Sequence, residues 1–232
     1  MKVLAIATRK GGVGKSTWTQ YCVTTLFHIL YKKGKKVALI DFDDQRSLAN
    51  KRAKEIKSKQ VVEALSEIFE DYEERLKNLY PLYTFGYQEY LEKYDKLQQH
   101  FDYIFLDFPG RIEKEQKAIL ETIDKVAIPI VADELDIESG VSYMKMCDTL
   151  NIKCGWFLNK EANTTFNRRI KATAHENYFQ KANPNIEKIP GKESELLSIR
   201  ERPEMYRKNR STIIPFDDPE QNVYHLIKYL IN

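Results

Sequence analysis

A chain of 232 residues, 42% hydrophobic and with a net charge of only +3, can bury one full α/β core, and its overall field says little about a partner. No apolar stretch approaches the roughly 20 residues of a membrane span, and the chain opens on a strand rather than a secretory leader, so a cytoplasmic protein is expected. Cys22, Cys147 and Cys154 have neither disulfide-framework nor metal-ligand spacing and read as core or near-core thiols.

The first element is the apolar run Val3 to Ala7, and Arg9 to Thr17 follows it as R-K-G-G-V-G-K-S-T. A strand that ends in a glycine-rich turn and opens into a helix aims several backbone N–H groups at one spot, where the helix dipole favours phosphate. In such a loop the lysine, here Lys15, reaches the β and γ phosphates, and the hydroxyl, here Ser16, binds Mg²⁺. The expected ligand is a nucleoside triphosphate with magnesium. The general pattern asks for glycine where this chain has Arg9.

Apolar residues at helical spacing then run from Lys15 to Tyr31 and stop near Gly34, and Lys36 to Asp41 returns as a strand, which makes a βαβ start. Ser47 to Gln99 is charged and predicted helical, broken around Tyr80 to Gly86; mixed charges at helical spacing read as a solvated face. Strands are predicted at Tyr103 to Asp107, Lys125 to Val131 and Lys153 to Leu158, with a helix over about Ile137 to Leu150 between the last two. The alternation predicts a mainly parallel sheet flanked by helices on both faces. With no Pro/Gly/Ser linker in view, residues 1–232 read as a single domain.

Two acidic segments sit at strand ends: Asp41-Phe42-Asp43-Asp44-Gln45 and Asp107-Phe108-Pro109-Gly110. An open parallel sheet places its ligands outside such ends, so these two segments and the glycine loop converge on one crevice.

Lys10 before the double glycine, followed by V-G-K-S-T, resembles the deviant Walker A motif of the ParA/MinD family of ATPases, which tolerates a residue other than glycine at the first position. The two acidic segments are similar to the family's second and third motifs, with Asp44 where proline is usual. The resemblance spans nearly the whole chain and is strongest up to about Gly110. It implies the P-loop fold of the deviant Walker A type, with ATP cradled by Gly11, Gly12, Val13, Gly14, Lys15, Ser16 and Thr17. It further implies that Asp43 positions the attacking water and that Ser16, Asp41 and Asp107 hold or surround Mg²⁺. Lys10 then reaches across an ATP-dependent homodimer to the partner's phosphates, the device of an arginine finger. Asn159 resembles the position that binds the adenine edge, and Ile189-Pro190 the loop that closes over the ring; a turn-forming Asn at a strand end is the alternative for Asn159. The cluster-ligating cysteine pattern of the nitrogenase iron protein, a relative by fold, is not visible.

Late in the chain Arg168, Arg169 and Lys171 form one basic group and Arg200, Arg202, Arg207, Lys208 and Arg210 another, interleaved with Phe166 and Tyr206. Such groups suit sequence-independent, salt-sensitive DNA binding, although acidic neighbours such as Glu201 and Glu204 also fit an ordinary solvated surface. Pro219 to Asn232 has Lys228 as its one firm cation and an apolar stripe better suited to the core, which argues against a membrane-binding helix. No helix-turn-helix segment precedes the first strand, which argues against operator binding. The expected function is therefore a DNA partition ATPase, nucleoid association included, whose turnover a ParB-like or other protein stimulates. The alternatives are a MinD-like positioning ATPase at a membrane or protein scaffold, and a small-molecule ligase resembling dethiobiotin synthetase.

Overall fold

A computed structural model of the chain describes residues 1–43, 45–109, 117–131, 134–161, 186–191, 196–200, 210–218 and 221–232. Strands β1 (Lys2–Ile6), β2 (Val37–Asp41), β3 (Leu82–Thr84), β4 (Tyr103–Asp107), β5 (Lys125–Ile130), β6 (Lys153–Glu161) and β7 (Glu187–Lys188) lie in the order β3-β2-β4-β1-β5-β6-β7, and β8 (Ser198–Arg200) also pairs with β6. Every pairing among these strands is parallel. From β1 the chain goes to β2 on one side, and from β4 it returns past β1 to β5 on the other. The turn after β1 thus lies at the point where the winding reverses, where open α/β sheets bind ligands.

Parallel strands are covered on both faces, and the two periodicities of this sequence accomplish that. Val3, Ala5, Ile40, Leu106 and Ile128 point into one core, while their neighbours Leu4, Ile6, Leu39, Phe105 and Ala127 point into the other. The first core is closed by α5 (Tyr87–His100), α6 (Lys117–Leu120) and α7 (Glu134–Thr149). The second is closed by α1 (Lys15–Leu30) and α8 (Asn222–Ile231), whose Val223, Leu226, Ile227 and Leu230 are buried. Helix α1 runs on into a short 3₁₀ turn and stops at Gly34, whose φ of +65° is left-handed and whose N–H caps the Tyr31 carbonyl at 3.2 Å. Asp218 Oδ2 accepts from the Val223 N–H at 2.8 Å and starts α8.

The charged stretch after β2 divides into α2 (Ser47–Glu55), α3 (Lys59–Ile68) and α4 (Tyr72–Lys77). The break at Tyr80 to Gly86 contains β3, an edge strand on β2 that begins directly after Pro81. Strand β6 extends past Leu158 to Glu161, which places Asn159 within the strand rather than after it. Cys22 and Cys147 are buried and Cys154 is half-buried; all three are free thiols.

Candidate active site

The loop between β1 and α1 folds as its glycines require. Gly12 and Gly14 have φ of +75° and +88°, which side-chain-bearing residues rarely adopt, and a Cβ on Gly14 would stand 3.0 Å from Asn159 Nδ2. That amide donates to the Val13 carbonyl at 2.7 Å, so β6 ties down the loop. Gly11 sits on the exposed outer turn with open space about it. Lys15 is only 5% exposed, and its ammonium donates to the Lys10 carbonyl at 2.7 Å. Beside the loop is a pocket of about 420 Å³, lined by Gly12, Gly14, Lys15, Ser16, Thr17, Asp43 and Asp107.

The β2–β4 register sets Asp41 and Asp107 opposite each other at the ends of their strands. Both are buried, at 0% and 3% exposure, and one oxygen of each, Asp41 Oδ2 and Asp107 Oδ1, has no hydrogen-bond partner among the described residues. Burial pushes the Asp107 carboxyl up to about 7; the Ser16 hydroxyl, which donates to it, opposes this, the Asp41 charge adds to it, and Lys15 and Arg210 oppose it. Burial likewise raises Asp41 to about 6, against the N–H of Asp43, which donates to Asp41 Oδ1 at 3.0 Å, and with the Asp43 charge adding. Two dry carboxylates with orphaned oxygens, one hydrogen-bonded to a loop hydroxyl, fit a hard divalent cation with oxygen ligands.

Asp43 faces the same pocket from the β2 side. Its Oδ1 accepts from the Gln45 N–H at 3.1 Å and its Oδ2 from the Ser47 hydroxyl at 3.1 Å, so it also organises the turn into α2. An ionised carboxylate has about four acceptor positions, and two remain for other donors.

Against known proteins, the family pattern for the ATPase MipZ matches residues 2–141, well over half of the chain, from the first strand through the glycine loop and both acidic segments. The chain belongs to the MipZ family of ATPases. It is thus a P-loop ATPase of the ParA/MinD type, and ATP is its nucleotide. No curated protein sequence matches. Among solved structures, the fold is similar to MinD of Aquifex aeolicus (20% identity, TM-score 0.65, 100% of this chain against 97% of that one). It is also similar to apo McdA of Cyanothece (19%, TM-score 0.67, 100% of both chains). A third is a putative plasmid partition protein of Borrelia burgdorferi bound to AMPPNP (21%, TM-score 0.58, 99% of this chain against 97% of that one).

In this MipZ-family ATPase, Gly12, Gly14, Lys15, Ser16, Thr17, Asp43 and Asp107 of the residues singled out from sequence line one pocket, Asp41 lies beside Asp107, Lys10, Gly11 and Val13 are in the loop but not in that lining, and Asn159 bonds the loop at Val13. Pro190 does not join them. Ile189 donates to the Trp156 carbonyl at 3.0 Å and is fully buried, which holds Pro190 alongside the middle of β6, and Pro190 lines a separate cavity of about 550 Å³ with Lys125 at the start of β5. Three lining residues of the loop pocket have no role assigned from sequence: Gln45, Phe108 and Pro109. All three lie in the acidic segments, so strand-end position was the signal that marked them. Arg9, in the position of the missing glycine, turns away from the loop onto α7: its guanidinium donates to Ser142 Oγ at 2.8 Å and touches Met146 Sδ at 3.7 Å. Of the two late basic groups, Arg168, Arg169, Lys171, Arg202, Arg207 and Lys208 lie outside the described residues, and Arg200 is placed only as a position on β8. Arg210 donates from Nε to Gln20 Oε1 on α1 at 2.8 Å. No helix among the described residues is long and apolar enough to cross a membrane.

Proposed function

We propose that this ATPase works in DNA partition: two copies clasp a pair of ATP molecules, the clasped form binds DNA without sequence preference, and slow hydrolysis releases it. The observation that carries the reading is the buried Asp107, which faces Lys15 and Ser16 with Asp41 beside it in the sheet, in a loop whose double glycine is preceded by Lys10. Phosphoryl transfer to water needs charge neutralisation and an aligned nucleophile rather than covalent help, and this pocket offers both. Ser16, Asp41 and Asp107 are the residues that would hold magnesium, which supplies positive charge against the phosphates when bound. Lys15 exchanges the Lys10 carbonyl for the β and γ phosphates, and the loop N–H groups fix the chain of phosphates along the start of α1. Asp43 accepts a hydrogen bond from water and aims it at the γ phosphorus. As the new P–O bond forms, the bond to the β–γ bridging oxygen breaks, and ADP, phosphate and a proton leave.

Lys10 lends its charge to the partner's phosphates. Two facing triphosphates repel strongly unless cations intervene, so dimerisation follows the nucleotide state. The late arginines and lysines supply the DNA surface. The Borrelia neighbour is a putative plasmid partition protein bound to AMPPNP, and MinD of Aquifex aeolicus has been solved with MinC, which supports a protein partner here. Membrane positioning is disfavoured by the burial of the α8 stripe. The test is a gel shift with non-specific DNA with and without ATP, paired with size measurement of Asp43→Ala in saturating ATP and magnesium. ATP-dependent, salt-sensitive binding lost in Lys15→Ala, with a dimer locked by Asp43→Ala, is the expected result; single subunits only would end the reading.

A further inference from the structure

A surface cavity of about 750 Å³ lies two to three turns along α1 from the glycine-loop pocket, among α1, α3, residues 215–218 and the start of α8. Four large hydrophobic residues are markedly exposed among the described residues, and three of them, Ile29 at 38%, Ile68 at 50% and Tyr224 at 49%, line this one groove. Scattered exposed apolar residues need no explanation, but a convergent set around a concavity marks an interaction site.

The floor is rigid. His28 stacks on Phe69 with ring centroids 4.6 Å apart, and the Arg75 guanidinium lies 4.1 Å from the centroid of the same Phe69 ring. His28 Nε2–H donates to the Ile213 carbonyl at 2.7 Å, while Nδ1 accepts from Arg75 at 3.2 Å. Both ring nitrogens are thereby used by the neutral imidazole, and burial, with the Arg75 charge adding, depresses its pKa to about 4. Phe216 is stacked on Tyr21 at 4.2 Å. A floor fixed in this way costs an incoming segment little ordering.

Charge selects the occupant. Among the described lining residues the acidic ones are Asp217, which is exposed, and Asp218, which caps α8, while the buried Arg75 guanidinium beneath Phe69 is paired with Asp71. A locally acidic, apolar groove on a chain of net charge +3 complements an apolar segment that carries a cation. A second copy in a two-fold contact would set these carboxylates against themselves, and an anionic lipid surface would be repelled. We propose that the groove docks a segment of a partner protein that presents two apolar anchors flanked by a lysine or arginine.

The test is selection of a displayed random dodecapeptide library on the full-length ATPase, counter-selected on Ile68→Glu, with a synthesised winner then titrated. Ile68 is half exposed, and thermal melting confirms that the variant is folded. Winners with paired apolar residues beside Lys or Arg are expected, with affinity falling roughly tenfold in Asp217→Asn and more in Ile68→Glu or Tyr224→Ala, and with ATP hydrolysis unchanged. Winners that are acidic, or that bind Ile68→Glu equally well, overturn the proposal. So does self-association abolished by Ile68→Glu, which would make the occupant a second copy, or binding to phosphatidylserine vesicles that Ile68→Glu removes.

Discussion

The two ends of helix α1 are built by opposite rules. At its start, Asp41 and Asp107 are dry, carry unsatisfied oxygens and have carboxyls pushed up to about 6 and 7. About 18 Å further along the axis, the ionisable groups around His28 are matched, although the buried Thr25 hydroxyl is not: both ring nitrogens are bonded, and Arg75 Nε holds Asp71 at 2.6 Å. Unmatched acceptors cost folding energy and are kept where a ligand will satisfy them; matched ones stabilise the fold and leave recognition to the apolar surface above. Substitutions should therefore separate activity from stability according to which end they touch.

The largest effect belongs to Lys15→Ala, which should lower ATP hydrolysis by on the order of 10³-fold in a steady-state phosphate-release assay while leaving the melting temperature nearly unchanged. Asp107→Asn should lose on the order of 10²-fold in the same assay and yet gain about 1 kcal/mol in urea unfolding, because an amide is easier to bury there than a carboxylate. A variant that lost both activity and stability would remove the contrast between the two ends. At the other end, Arg75→Ala should cost about 2 kcal/mol of stability by leaving the buried His28 Nδ1 and carbonyl without their donor and uncovering the face of Phe69, while hydrolysis per folded molecule stays at the unmutated rate.

This contrast was only half legible in the sequence. The buried strands announced themselves because parallel strands covered on both faces read as apolar runs, and the glycine loop and the two acidic segments converged because each follows such a run. Strand β3 was hidden by Pro81 and Gly86, which read as a break, and β7 and β8 by being short and polar, as edge strands are. Pro190 lies apart from the loop pocket because its position depends on which level of β6 residues 187–188 pair with, a register that composition does not encode. The groove could not be foreseen at all. Ile29 and Ile68 fit the apolar faces of their own helices, and only the assembly of four separate segments leaves them uncovered.

The smallest effect is also the most discriminating, because the two ends answer pH with opposite sign. His28 has its pKa depressed in the fold, to about 4 from 6.5, so below 6.5 the unfolded chain takes up the proton first, and its share of stability is lost as pH falls towards 4. Asp41 and Asp107 have raised values, so their share is fully present below the ordinary carboxyl value of 3.8 and is lost as pH rises through about 6 and 7. Between pH 4.5 and 6 the contributions oppose each other in the intact protein. Removing Asp107 with Asn should make the slope of unfolding free energy against pH more positive, and removing the imidazole with His28→Gln should make it more negative, each by up to about 1.4 kcal/mol per pH unit. Urea melts at three pH values in this window measure both slopes. If the two variants shift the slope in the same direction, the carboxylate end and the imidazole end do not differ in the way their hydrogen bonding implies.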